Sequence, residues 1–195
     1  LTWEDSILPK RYNMKYVRGD LIQLAIDGHF DIIGQGCNAF CTQGSGIAKE
    51  IVRVFPKVLE ADCSTIVGDR AKMGTYTEHV ETIMGPLTTT RELVILNCYT
   101  QYTTWDPNDM FDYDALKNVL IKIKQDFEEW FQNDAKIGFP LIGAGLARGD
   151  WKKIKQIFAE VNIPNCYIVV LFDKDWNSIV APAWDDNDAL LPLPL

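Results

Sequence analysis

Apolar positions along this chain fall into two kinds of run. Short continuous stretches rich in β-branched residues predict strands at 15–17, 31–37, 79–84, 93–98, 136–139 and 166–172, each flanked by Gly, Pro or Asn. Between several of them the apolar residues recur at helical spacing instead. Over 46–55, Ile47, Ile51, Val54 and Phe55 share one face, and over 113–131 Leu116, Val119, Leu120, Ile123, Phe127, Trp130 and Phe131 do the same. Asp112 is placed to cap the second of these. A third helix is predicted over 150–161, with Trp151, Ile154, Ile157, Phe158 and Val161 facing inward. Strand, helix and strand in succession imply an α/β fold with a mostly parallel sheet covered by helices on both faces. No internal repeat is visible.

The two ends break this pattern. The segment LTWEDSILPKRYN at 1–13 has no clear period, and Met14 is read as close to a natural start. Residues 174–195 finish in APAWDDNDALLPLPL, whose prolines and acidic side chains suit neither a long helix nor a central strand. Both are expected to be arms outside a core spanning 14–173.

A chain of 195 residues with 47% hydrophobic and 24% charged positions fits one domain, expected to act as a monomer. Lys plus Arg number 19 against 27 Asp plus Glu, a net charge of −8, which argues against a nucleic-acid backbone as the main partner. The charge leaves room for a small anion bound by backbone N–H groups. Five cysteines, odd in number and scattered, fit free thiols in a reducing cytoplasm. Cys37 and Cys41 form a C-x3-C, but with only His29 and His79 in the chain no second pair completes a zinc site. No stretch reaches the length of a membrane span, and the first twenty residues lack the apolar centre of a signal peptide, so a cytoplasmic location is expected.

In a parallel sheet covered by helices, ligands bind outside the carboxyl ends of the strands. Two glycine-rich loops occupy that position. The first is GCNAFCTQGSGIA at 36–48, and the second is IGAGLARGDW at 142–151. Their glycines admit positive φ and close approach, and the free N–H groups at the following helix starts point at an anion. Together they suit the two phosphates of a pyrophosphate; alone, each is equally a tight strand-to-helix turn. Neither is a P-loop or a dinucleotide fingerprint, and no G-x-S-x-G elbow occurs.

With GDL at 19–21, GCNAFCTQGSGIAKEI after the buried strand, and PLIGAGLARGDW before CYIVVLF, the chain resembles the macrodomain family over about 14–173. It is most similar to the compact branch common in phages and microbes, which includes ADP-ribose 1″-phosphate phosphatases. The resemblance implies a three-layer α/β/α fold with a mixed, mostly parallel central sheet, ADP-ribose or ADP-ribose 1″-phosphate as partner, and no cofactor or metal. If phage-encoded, the protein would work in the host cytoplasm. Asp20 would accept from the adenine amino group, and the backbone at Leu21 would meet the ring. Asn38 would hold the distal ribose. Gly44, Ser45, Gly46 and Ile47 would supply N–H groups to the diphosphate and distal sugar. Gly143, Ala144, Gly145 and Leu146 would close from the other side, with Phe172 covering adenine. The bland alternatives are a helix cap for Asp20, a turn for Asn38 and a core ring for Phe172.

Phosphomonoester hydrolysis needs an attacking water and a group that orients or deprotonates it. Asp150, just past the second loop, is the candidate, beside its reading as an N-cap; Asn38 and Gln35 complete the catalytic set. Some phosphatases of the branch carry His where this chain has Gln35, which can orient water but cannot take its proton. Members that remove ADP-ribose from glutamate use a Lys and an Asp where this chain places Gln101 and Ala147. Tyr99, Thr100 and Gln101 are possible pocket-lining residues. The alternatives to a phosphatase are a non-catalytic ADP-ribose-binding module and an ADP-ribosyl hydrolase acting on modified protein or nucleic acid.

Overall fold

A computed structural model describes residues 14–193. Its strands are β1 (Met14–Arg18), β2 (Ile32–Asn38), β3 (Tyr76–Met84), β4 (Thr90–Gln101), β5 (Ile137–Phe139), β6 (Cys166–Val170) and β7 (Asp188–Leu191). They form one sheet in the order β3-β4-β2-β5-β6-β1-β7. Every pairing is parallel except that of β3 with β4. Alternate side chains of each central strand point to opposite faces, so one sequence run feeds two cores. On β4, Val94, Leu96 and Cys98 join one cluster while Leu93 and Ile95 join the other.

Helices α1 (Leu21–Ile26), α2 (Gly46–Val54) and α3 (Lys57–Cys63) cover the second cluster. Helices α4 (Tyr113–Asp126), α5 (Glu128–Gln132) and α6 (Trp151–Val161) cover the first. The result is the expected three-layer α/β/α arrangement with a mixed, mostly parallel sheet. Asp112 caps α4 as its position suggests, its Oδ1 accepting from Ala115 N at 2.9 Å. The single helix expected over 113–131 is divided at Phe127, whose φ of −106° and ψ of 21° leave the helical region while its ring stays in the core. Helices α1 and α3 were not among the predicted elements, because six or seven residues show too little of a helical period.

The expected N-terminal arm at 1–13 lies outside the described residues. The C-terminal segment differs from its expectation. After β6 the chain makes helical turns over 173–183, buries Trp176 and Val180 in the first cluster, and adds β7 alongside β1. The prolines expected to exclude it from a strand flank β7 instead of interrupting it. Lys155 of α6, nearly buried, fastens this segment through Asp185 at 2.7 Å and Asp188 at 2.8 Å. Trp176 and Trp184 pack on Tyr16, whose hydroxyl accepts from Trp151 Nε1 at 3.1 Å.

Candidate functional site

The ends of β2 and β5 are neighbours in the sheet, and the two glycine-rich loops leave from them side by side. They meet across a cleft. A Cβ built on Gly46 would lie 3.9 Å from Leu146 Cδ1, whereas Cβ atoms built on Gly44 or Gly145 meet nothing within 4 Å. Those two glycines border open space. Gly46 and Gly143 take positive φ of 57° and 78°, and a Cβ on Gly143 would fall 2.2 Å from the Phe111 ring. Only glycine fits there.

The backbone donors of the cleft are free. Among the described residues, the N–H groups of Gly44, Ser45, Gly46 and Ile47 at the start of α2 reach no protein acceptor, and Ser45 makes no side-chain cap. In the second loop, Gly143, Gly145 and Leu146 keep N–H groups without a partner among the described residues, while Ala144 N donates to Leu141 O at 3.2 Å. Gly149 N closes this loop on Gly143 O at 2.7 Å. Such a cluster of unpaired donors at a helix start has the electrostatics of an anion site.

At one end of the cleft, Asp20 caps α1, its Oδ1 accepting from Ile22 N at 2.9 Å and Gln23 N at 3.2 Å. Its Oδ2 and the Leu21 N–H have no partner among the described residues, though the Leu21 side chain is buried. Phe172 is 53% exposed after β6, which excludes a core role, and the Lys174 ammonium lies over its ring at 5.3 Å from the centre.

At the other end, Asn38 is buried and its amide is spent inside the first loop. Its Nδ2 donates to Thr42 O at 2.7 Å and Thr42 Oγ1 at 2.8 Å, and its Oδ1 accepts from Phe40 N at 2.8 Å. Asn38 therefore shapes this loop as it stands. The rim beside it is aromatic, with Phe40 packed edge-on against Trp105 at 4.6 Å and Trp105 63% exposed. Of the polar residues expected to line the pocket, all three fall within the end of β4: Tyr99 and Thr100 are buried, and Gln101 Nε2 donates to Thr103 O at 2.6 Å.

Asp150 is exposed at the start of α6. Its backbone N–H donates to Tyr113 Oη at 2.9 Å, and its Oδ1 accepts from Lys152 N at 3.0 Å, leaving Oδ2 free among the described residues. It is an N-cap with one oxygen to spare.

Gln35 is not at the cleft surface. On β2 its side chain shares a face with Ile33 and Cys37, so it points under α3, fully buried. There its Nε2 donates to Gln43 Oε1 at 3.0 Å and Asn97 Oδ1 at 2.8 Å, and its Oε1 has no partner. A water held by Gln35 at the phosphate is therefore excluded by its direction in this arrangement. Gln43, from the loop itself, reaches down to Asp62 Oδ2 at 2.8 Å, and Asp62 Oδ1 accepts from Tyr99 Oη at 2.8 Å. Asn97 Nδ2 ties this group to Val58 O at 3.0 Å. Burial is the main cause that pushes the Cys37 thiol and the Tyr99 hydroxyl well above their ordinary values, with Asp62 adding to it. This buried polar floor was missed from the sequence. Its signal was present as Gln35 and Asn97 at inward positions of otherwise apolar strands, IIGQGCN and LVILNCY.

The Macro domain family model matches residues 35–158 of the chain. An uncharacterized 17.5 kDa protein from the tk-vs intergenic region of Enterobacteria phage T4 is 36% identical over 145 residues, covering 74% of this chain and 86% of the phage protein. Among solved structures, the macrodomain of Mycobacterium tuberculosis DarG matches with a TM-score of 0.57 at 20% identity, over 80% of this chain and 96% of that one. Thermosipho africanus DarTG in complex with ADP-ribose matches with a TM-score of 0.54 at 14% identity, over 76% of this chain and 40% of that one. At these identities the structural likeness speaks for the fold alone.

Proposed function

The chain belongs to the macrodomain family, and from that membership and the form of its cleft we propose that it binds ADP-ribose and hydrolyses ADP-ribose 1″-phosphate to ADP-ribose and phosphate. The observation that carries the reading is the pair of facing glycine loops, whose free N–H groups converge on open space at Gly44 and Gly145. A diphosphate laid between them meets donors from both sides without a side-chain cation. Adenine lies toward Asp20, Leu21 and Phe172, and the distal ribose toward Asn38, after Asn38 exchanges its Thr42 and Phe40 bonds for the sugar hydroxyls.

In the reaction, water attacks the terminal phosphorus in line, the bond from phosphorus to the ribose oxygen breaks, and the leaving oxygen gains a proton. Asp150 is the group in our reading that orients the water and accepts its proton through Oδ2, while Oδ1 stays on Lys152 N. Gln35 is given no part in the step.

A non-catalytic ADP-ribose-binding module is the second reading. It is favoured by Gln35 turning into the core and by Asn38 and Asp150 each already serving the local backbone. Phosphate release from ADP-ribose 1″-phosphate, measured for the wild type, Asp150→Ala and Asn38→Ala alongside calorimetry on ADP-ribose, separates the two. Tight binding without turnover leaves the module. Absence of binding removes both readings.

A further inference from the structure

Cys41 stands in the first cleft loop with a left-handed φ of 57°, half-buried, three residues after Asn38 and three before Gly44. Its Sγ lies 3.4 Å from the carbonyl oxygen of Asp62, the carbonyl bonded to the amide nitrogen of Cys63. Lys72 Nζ donates to the same sulfur at 3.6 Å, and Thr65 Oγ1 is 3.5 Å away. Cys63 ends α3, is exposed, and directly follows Asp62, whose carbonyl the Cys41 sulfur touches. The Cys41 thiol, a lysine ammonium and the backbone that carries Cys63 thus come together where the ligand loop rests on α3. Cys37, Cys98 and Cys166 have no such arrangement: the first two are buried, and Cys166 lies on β6.

We propose that Cys41 and Cys63 are an oxidative modification site, forming a reversible disulfide under hydrogen peroxide and so locking the first loop of the cleft. Cys41 sulfur attacks one peroxide oxygen, the O–O bond breaks, and hydroxide leaves to take a proton as water. The Cys63 thiol then attacks the resulting sulfenic sulfur, the S–O bond breaks, and a second water leaves. Two thiols lose two electrons and two protons, and the peroxide is reduced to two waters. Lys72 supplies a cationic donor to the sulfur that begins the sequence.

The consequence for the cleft follows from Asn38. Its amide bonds span Cys41, reaching Phe40 N on one side and Thr42 O and Oγ1 on the other. When Asn38 turns to a ribose, Phe40 N and the Thr42 oxygens lose these bonds and residues 40–42 must rearrange to re-pair them, and a bond from Cys41 to Cys63 holds those residues on α3. The oxidised protein therefore binds ADP-ribose more weakly, a consequence that rests on the function proposed above, whereas the cross-link itself does not.

The test oxidises the reduced full chain with hydrogen peroxide, blocks remaining thiols with an alkylating agent, and maps peptides by mass spectrometry. The expected product joins the Cys41 and Cys63 peptides, with the other three cysteines alkylated after denaturation, and dithiothreitol reverses it. In Cys63→Ala the cross-link is lost and a sulfenic acid on Cys41 is trapped by dimedone. Amide exchange over 39–46 slows in the oxidised protein, and calorimetry on ADP-ribose shows affinity about tenfold weaker, restored by dithiothreitol. Recovery of Cys41 and Cys63 as separately alkylated peptides overturns the proposal. A cross-link with unchanged exchange over 39–46 overturns the locking of the loop. If the reduced protein fails to bind ADP-ribose, the functional reading falls, while mapping and exchange still decide the thiol pair.

Discussion

Three glycine-to-alanine substitutions separate ligand grip from fold. At Gly44 and Gly145 the backbone is outside the left-handed region and a Cβ meets nothing within 4 Å. Alanine there changes folding stability by at most about 1 kcal/mol, in the stabilising direction through the unfolded chain. At Gly143, φ is +78° and the Cβ falls 2.2 Å from Phe111. A non-glycine residue in that region costs about 1–2 kcal/mol, and displacing the ring adds about 1–3 kcal/mol. A loss near 3 kcal/mol corresponds to about 10 °C in Tm for a chain of this length. The ligand sees the reverse. Methyl groups at 44 and 145 project into the open space between the loops, where they block approach to the free N–H donors. A lost hydrogen bond to a charged group is worth about 1.5–3 kcal/mol, so Gly44→Ala and Gly145→Ala should each weaken ADP-ribose by at least about tenfold. Differential scanning calorimetry gives the first quantity and isothermal titration the second. If both variants keep wild-type Tm and bind ADP-ribose within about twofold of wild type, the paired-loop grip is refuted.

Asp150→Asn keeps the cap acceptor for Lys152 N and should fold like the wild type, with phosphate release from ADP-ribose 1″-phosphate reduced by about 10²-fold or more; Asp150→Ala loses in addition about 1 kcal/mol of stability, read by urea titration. Asp62→Ala removes the shorter partner of Tyr99 Oη and of Gln43 Nε2, leaving them Thr77 Oγ1 and Asn97 Oδ1, each at 3.3 Å, and should cost about 2 kcal/mol, whereas Asp62→Asn, to which the tyrosine hydroxyl can reverse its bond, should cost about 1 kcal/mol in the same titration. The Lys155 hydrogen bond holds the Asp185 carboxyl below its ordinary value, so its contribution is complete above the unfolded carboxylate range and is lost as pH falls through that lowered value. Burial alone would lower the Lys155 ammonium, but Asp185 and Asp188 outweigh it and raise it, so that contribution is lost only as pH rises through the raised value. Tryptophan fluorescence from Trp176 and Trp184 should therefore report an acid transition of the C-terminal segment that Lys155→Met removes; an unchanged transition in that variant would show the pair does not fasten it.

The parts of this molecule that could be read from its sequence are those in which one physical demand fixes the residue type. Buried parallel strands announce themselves as continuous apolar runs, and a positive φ or a close approach at Gly46 and Gly143 leaves glycine as the residue that fits. Asp112 is similar, since a helix start needs an acceptor there. Residues with two competing uses were not legible. Asp20, Asn38 and Asp150 each satisfy backbone N–H groups in the structure and each stand at or just past the carboxyl end of the sheet, and a polar residue at a loop reads the same for a cap or for a ligand. Gln35 failed for a different reason: its neighbourhood in sequence suggested the phosphate, but strand alternation from Ile33 decided its direction, and the partners that make it comfortable, Gln43 and Asn97, come from 8 and 62 residues away. The C-terminal segment failed similarly, because Lys155 is what turns the acidic DDND stretch from a solvated tail into an anchored edge. Asn38 can serve both uses in turn. Its present bonds are local and neutral, each worth about 1 kcal/mol net, so a ribose offering two hydroxyls can replace them at little cost. A loop held by such bonds is rigid enough to be found folded and loose enough to be claimed by a ligand, which is also why a single covalent bond at Cys41 would decide between the two.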